Sequence, residues 1–575
     1  MSRPHSHLFE VEAEVLDPGP VLTLVMPVWT PGSYLVREFA RHLEGFRADD
    51  GTGRPLPGRR IDKHRFQVEA AGAERVRVRY RVYANDLTVR TAHLDGRHGY
   101  FNGANLFLFP EGRLAEPAEL EVVPPPGWHV TTALDGGPTR FRARHYDELA
   151  DSPVEVGTHP VEAFDALGRR HEVAVVGRGD LDVPLLLGDL KRVVEKFGEL
   201  MGEAPYDRYL FLFHLTDRRR GGLEHERSTT LQVGRHSFFP RETYEETLAL
   251  AAHEYFHLWN VKRLKPAAFI PYDYSREQYT RLLWWFEGVT SYYDRLTVVR
   301  AGVGDPARYL KHLGQEWTAL LRQPGRWKMS LEEASLTAWV KYYRPDENAS
   351  NSAISYYQKG ELVAWALDMA LRRAGKSLDD LLRLLYERYR TAGMPEDGPE
   401  LGLAELVGGD GARRLFDALV RGTGEPEVDL DAVGLRLRRR APQDLDDKGG
   451  TPPRRNGGEP EAGWLGAEIA SGAKVVVRSV REDGPAFRAG LYAGDEIVAE
   501  SGFRVDRAGL WDRARAVGPG GELRLTVFRR DELVEVQVPL GRAPEDAVWL
   551  EPVPSPSPSQ QDAFAAWTGA ALPRN

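Results

Sequence analysis

The chain has no cysteine. Disulfide frameworks, thiolate metal sites and cysteine nucleophiles are therefore excluded, while the compartment stays open, since a thiol-free protein persists in either redox environment. It also lacks any uninterrupted apolar run of roughly 18 residues, so no membrane span is expected. The N-terminal stretch MSRPHSHLFEVEAEVLDPGP has no apolar core of the kind a secretory signal carries. A cytoplasmic protein is the expectation, or a periplasmic or secreted one if a leader is missing. Nor is there an excess of one charge: 85 acidic residues against 76 basic give a net charge of -9, which argues against a nucleic-acid binder. No internal repeat is present.

What is there is length. At 575 residues the chain exceeds one hydrophobic core, and two to four domains are expected. Residues 1–165 read as a β domain of sandwich type, with alternating runs such as Arg75-Val-Arg-Val-Arg-Tyr-Arg-Val-Tyr83 whose arginines form a solvated face. Residues 166–330 mix strands (Tyr209–Leu215, Thr229–Val233) with helices predicted over Tyr244–Asn260 and Glu277–Val299. Residues 331–440 read as helical, with helices over Gly360–Arg373, Leu378–Tyr389 and Ala412–Val420. Residues 441–462 are polar and rich in Pro and Gly, a mobile linker. Short strands and turns return over 463–541, and residues 542–575 read as a disordered tail.

The chemistry lies in His253-Glu254-Tyr255-Phe256-His257. Histidines four apart share one face of a helix and can reach a single ion. Glu254, between them, is placed as general base for a zinc-bound water, taking its proton and then delivering it to the leaving amine. The flanking Leu248-Ala-Leu-Ala-Ala252 and Leu258-Trp259 make this a buried helix, where two histidines and a glutamate would be costly without a metal. A catalytic zinc needs a third protein ligand. Glu287, a lone charge in Trp284-Trp-Phe-Glu-Gly-Val289, supplies it, and Asp294 can orient a ligand histidine through its second ring nitrogen. One Zn2+ per chain is expected.

With these residues in place the chain resembles the glycyl aminopeptidase family of PDZ-containing gluzincin metallopeptidases. The likeness also rests on Pro27-Val-Trp-Thr-Pro-Gly-Ser-Tyr34 and on the extension Asn260-Val-Lys-Arg263, to which no chemical role attaches from sequence. Gly221-Gly-Leu-Glu-His225 is similar to the substrate-binding edge strand of related aminopeptidases. The resemblance implies that Gly222, Glu224 and His225 bind substrate, Glu224 taking the free α-ammonium. Leu223 and His225 depart from the commoner Met and Asn. Tyr356-Tyr-Gln-Lys-Gly360 looks like the element whose tyrosine donates to the oxyanion. Aligned on Lys359-Gly360, that residue is Tyr357, with Tyr356 as its competitor.

Residues 463–541 resemble a PDZ domain, with Trp464, Leu465, Gly466 and Ala467 as the loop that binds a peptide carboxylate. The fold class expected is therefore multidomain: an N-terminal β-sandwich-like domain, a thermolysin-like α/β zinc domain with a helical C-terminal part, and a C-terminal PDZ domain. The expected function is zinc-dependent removal of N-terminal residues from peptides, with small residues such as Gly or Ala implied by the family name. The alternatives are a zinc endopeptidase and a catalytically silent peptide-binding protein. Expected partners are peptide substrates and peptide C-termini. Nothing in the sequence sets the oligomeric state.

Overall fold

The computed structural model describes residues 1–217, 219–454 and 461–574; residues 455–460 of the expected linker lie outside this range. Contacts divide the chain into two units, one of residues 1–280, 293–303 and 382–396, the other of 281–292, 304–381 and 397–575.

The first unit begins with two four-stranded antiparallel sheets. Strand Arg75–Tyr83 lies in the middle of one, paired with Leu8–Leu16 so that Leu8 faces Tyr83 and Leu16 faces Arg75. Its apolar residues alternate inward, and its arginines meet glutamates across the strand pair: Arg75 with Glu14 at 3.0 Å and Arg79 with Glu12 at 2.7 Å. Each such exposed pair contributes about 1 kcal/mol at most; the buried valines hold the sheet.

A five-stranded mixed sheet follows, in the order Val161–Ala166, Arg169–Val176, Arg208–Thr216, Ser228–Gly234, Gly221–Glu224. The pairs 169–176 with 208–216 and 208–216 with 228–234 are parallel. Helix Val183–Met201 makes the first crossover, capped by Asp182 and stopped by Gly202 in a left-handed conformation. Gly221–Glu224 is the antiparallel edge strand, Gly222 opposite Leu231 and Glu224 opposite Thr229. Helix Arg241–Phe256 comes next and packs on that edge strand. Among the described residues, no helix is long and apolar enough to cross a membrane.

Helix Trp284–Arg300 starts in the second unit and runs into the first; its first six residues, Trp284–Val289, form a wide π turn. The helix expected over Glu277–Val299 thus begins later than its periodicity suggests. The second unit also holds helices Pro306–Leu321, Gln358–Arg373 and Gly398–Val407 and a small β module with a core of Leu465, Val477, Ile497, Leu523, Val527 and Val538.

Two expectations are corrected here. The described part of the linker is pinned: Asp447 accepts from Gln443 N (2.8 Å), Gly449 N (2.9 Å) and Arg440, and Gly450 N donates to Val548 O at 2.6 Å. The tail is ordered as well. Ala547–Pro552 pairs antiparallel with Leu435–Arg440, and Pro558–Thr568 is a helix with a capping box between Ser557 and Gln560. Ser-Pro pairs read as disorder by composition, but here they form a helix start, with Pro at the first helical position. Trp567, fully buried, supplies the apolar anchor that composition hid.

Candidate active site

Helix Arg241–Phe256 carries His253 and Glu254 in its last turn, and His257 caps it. The helix predicted to reach Asn260 ends four residues sooner. His257 N still donates to His253 O (3.3 Å), so the two rings stay one turn apart, their centroids separated by 4.7 Å. The chain then doubles back, and the Asn260 carbonyl lies 2.9 Å from His257 Nδ1. His253 Nδ1 meets Asp294 Oδ2 at 3.2 Å. A carbonyl and a carboxylate can only accept, so each Nδ1 donates and each Nε2 keeps its lone pair for a ligand. Val261, just beyond, has φ +136°, a conformation rare outside glycine and a local cost of holding that turn.

Asp294 and Glu287 share one helix, which fixes their spacing along it. Glu287 is buried. His253 and His257 belong to the first unit and Glu287 to the second. Two imidazoles and one carboxylate are the donor set of a catalytic zinc, so these residues fit the metal. π turns occur often at functional positions, and this one carries Glu287.

The next residue, Gly288, touches Gly360: a Cβ on Gly288 would lie 2.5 Å from Gly360 Cα, and one on Gly360 2.8 Å from Gly288 Cα. Two glycines let helices Trp284–Arg300 and Gln358–Arg373 cross backbone to backbone. That crossing sets Tyr357, the N-cap of the second helix, beside Glu287. Burial, and then the Glu287 charge, hold the Tyr357 phenol well above its ordinary range, so it stays protonated. Tyr356 is fully buried, whereas Tyr357 keeps part of its surface.

The edge strand adds two contacts. A Cβ on Gly222 would lie 2.1 Å from Glu254 Oε1, so only glycine leaves room for that carboxylate. The Gly222 carbonyl accepts from Arg90 at 3.1 Å. Glu224 is only 3% exposed, and its Oε1 has no hydrogen-bond partner among the described residues. Glu224, Glu254 and His257 also bring ligand atoms within 4.8 Å of one another.

His225 points its Nδ1 at Asp151 (3.1 Å), which also takes Lys262 Nζ (2.6 Å) and Glu226 N (2.7 Å). Burial by itself would raise the Asp151 carboxyl, but the Lys262 charge and the His225 bond hold it well below the usual carboxylate range. Burial pulls Lys262 down while Asp151 and Glu224 push it up, and the carboxylates prevail.

Sequence reasoning missed Gly32, Asp151, Lys262 and the Asn260 carbonyl. The motif extension Asn260-Val-Lys-Arg263 hinted at two of them, and the block Pro27–Tyr34 contains Gly32. In the β module, Leu465 and Gly466 join the strands Gly463–Trp464 and Ala467–Ile469, Gly466 at φ +71°, and the Leu465 and Gly466 carbonyls are taken by Ala486 N and Arg481 N, each at 2.9 Å.

Comparison with known proteins identifies two family models in the chain: the Peptidase M61 N-terminal domain over residues 1–158 and M61 glycyl aminopeptidase over residues 246–363. The crystal structure of an aminopeptidase N family protein from Idiomarina loihiensis superposes with a TM-score of 0.92 at 33% identity, covering 99% of this chain and 98% of that one. An M1 zinc metallopeptidase from Deinococcus radiodurans gives a TM-score of 0.47 at 13% identity, over 74% of this chain and 94% of that one. A probable periplasmic serine endoprotease DegP-like from Brucella suis is 33% identical over 103 residues, 16% of this chain and 20% of the relative. The chain thus spans about a fifth of the length of the curated relatives it matches. With both family models matched and a structural relative at 33% identity covered nearly end to end, the chain belongs to the M61 glycyl aminopeptidase family.

Proposed function

We propose that the enzyme is an aminopeptidase that removes single N-terminal residues, small ones such as Gly or Ala, from unblocked peptides. The observation that carries this reading is the Glu224 carboxylate. It is buried, has a partnerless oxygen among the described residues, and stands in one group with Glu254 and His257. A buried acceptor without a donor is costly, and the ammonium of a peptide N-terminus provides both donor and counter-charge. Its place beside Glu254 and His257 sets the amine next to the groups proposed to act on the bond, as removal of a single residue requires.

His253, His257 and Glu287 would hold one catalytic zinc, which supplies Lewis acidity, acidifying water and polarising a carbonyl. The competing group of Glu224, Glu254 and His257 would leave no general base and would place two carboxylates on the ion. Glu254 takes the proton of the attacking water and hands it to the leaving amine. Tyr357, protonated and partly exposed, donates to the oxyanion as it forms. Gly222 leaves Glu254 its space and offers its strand edge to the substrate backbone. His225, tied to Asp151, acts in this reading by setting the strand end that carries Glu224.

Residues 463–541 are, in the same proposal, a PDZ domain. Ala467–Ile469 stands at the end of its sheet order, paired on one side only with Val475–Val480. Such an edge accepts a peptide C-terminus as an added strand.

The test is hydrolysis of free and N-acetylated amino-acyl substrates by the parent and by Glu224→Gln. Loss confined to free substrates, by roughly ten- to a thousand-fold, supports the reading. Equal loss on both would make Glu224 a scaffold residue and the enzyme an endopeptidase.

A further inference from the structure

A second set of metal-type donors lies in the first unit and shares no residue with the first set. The short sequence His93-Leu-Asp-Gly-Arg-His98 closes into a hairpin, Asp95 N donating to His98 O at 2.9 Å. Asp95 uses Oδ1 for the backbone N–H groups of Arg97 (2.7 Å) and His98 (3.0 Å). Its Oδ2 lies 3.7 Å from His93 Nε2 and 3.5 Å from Nε of the exposed Arg97. The rings of His93 and His98 are 4.9 Å apart, and a ligand atom from each of His93, Asp95 and His98 lies within 4.8 Å of the others.

Behind this set stands Glu155, with no exposed surface. Its Oε1 takes His98 Nδ1 (2.8 Å) and its Oε2 takes His214 Nε2 (2.9 Å). A carboxylate on the far nitrogen of an imidazole is the arrangement that orients metal-binding histidines, and Asp294 makes the same contact with His253. His98, Glu155 and His214 form a second group within 4.8 Å.

The place suits a ligand. His93, Asp95, His98 and His214 line a cavity of about 970 Å³. It opens where the three parallel strands end, with Val176, His214 and Gln232 side by side in the register. The carboxyl ends of parallel strands are where such sheets bind ligands. Three histidines of its lining, His93, His159 and His214, have a buried Nδ1 with no partner among the described residues, and His214 is 1% exposed. Leaving a buried polar atom unmatched is costly. Arg219 on the rim is paired with Asp86 at 3.1 Å.

We propose that His93, Asp95 and His98 bind a divalent transition-metal ion, with Glu155 positioning His98, at a second site independent of the catalytic one. Imidazole and carboxylate together select zinc among the common cellular cations and disfavour magnesium and calcium.

The test uses the full chain with His253→Ala and His257→Ala, which removes the catalytic ligands and leaves the hairpin untouched. After chelation, Zn2+ is titrated by calorimetry and retained metal is measured after desalting. One zinc per chain, with a rise in melting temperature, is expected. Adding His93→Asn and Asp95→Asn should abolish both. These two changes leave the His98–Glu155–His214 bonds in place, and circular dichroism of the metal-free proteins checks that the fold is kept. No zinc on the chain lacking the catalytic histidines, or one zinc still bound after His93→Asn and Asp95→Asn, would overturn the proposal.

Discussion

Gly32 lies against the Glu224 carboxylate: a Cβ built on it would stand 2.5 Å from Oε1 and 2.6 Å from Oε2. Its φ of +84° is also one that other residues adopt only under strain. The turn of Pro27-Val-Trp-Thr-Pro-Gly-Ser-Tyr34 therefore forms one wall of the place where the substrate amine is proposed to bind. Gly32→Ala should push the carboxylate aside and lower kcat/KM on unblocked peptides by about ten- to a hundred-fold, the scale of an ångström's misplacement. Zinc content should stay at the parent value. Parent-like kcat/KM from Gly32→Ala would show that Glu224 does not need its present position.

The metal motif was legible because helical periodicity alone puts His253 and His257 on one face. Glu287 was legible as a lone charge among tryptophans. The partners of these residues were not. Asn260 acts through its backbone carbonyl, which no side-chain pattern encodes. Lys262 meets Asp151 across 111 residues of chain, and Gly32 meets Glu224 across more. Gly288 and Gly360 work by having no side chain, so each reads in isolation as an ordinary glycine. The ordered tail was misread for the opposite reason: its Pro and Ser dominate the composition, while Phe564 and Trp567 do the packing.

Lys262→Met should destabilise the protein by about 3–5 kcal/mol at neutral pH, because it strands the Asp151 charge in a buried place. The folded-state pKa of Asp151 is depressed, so its contribution is present above the unfolded value near pH 4 and fades as pH falls through that window. That of Lys262 is raised, so its share is present below about pH 10 and fades only above it. The gap between parent and variant in denaturant unfolding should therefore be full at pH 7 and shrink below about pH 4. A gap independent of pH would mean that packing, and not the ion pair, sets the loss.

Removing residues 547–575 should not be tolerated as loss of a loose tail would be. Trp567 donates its indole N–H to Tyr292 at 2.8 Å, and Tyr292 donates to Asp368 at 2.6 Å. Trp567 also stacks on Trp365 at 6.1 Å. Trp567→Ala alone should cost about 3–5 kcal/mol, read as a fall in melting temperature. A truncated chain that melted with the parent would show this helix to be dispensable.

Tyr357→Phe separates the oxyanion role from every other function of the site. The hydroxyl is proposed to meet negative charge that exists only as the reaction proceeds, so its loss should lower kcat by about a hundred- to a thousand-fold and leave KM close to the parent value. Bound zinc should be unchanged, since Tyr357 lies outside the donor set. Tyr356→Phe is the matched control: that side chain is fully buried, and its variant should keep most of its turnover. The raised pKa of Tyr357, from burial and the neighbouring Glu287 charge, keeps its proton in place through mildly alkaline pH. Any fall of kcat between pH 8 and about 10 must then come from another group, and the Phe variant should show that fall at the same pH. If the alkaline limb vanished in Tyr357→Phe, the phenol would be titrating in that range, and its part as a fixed donor would have to be given up.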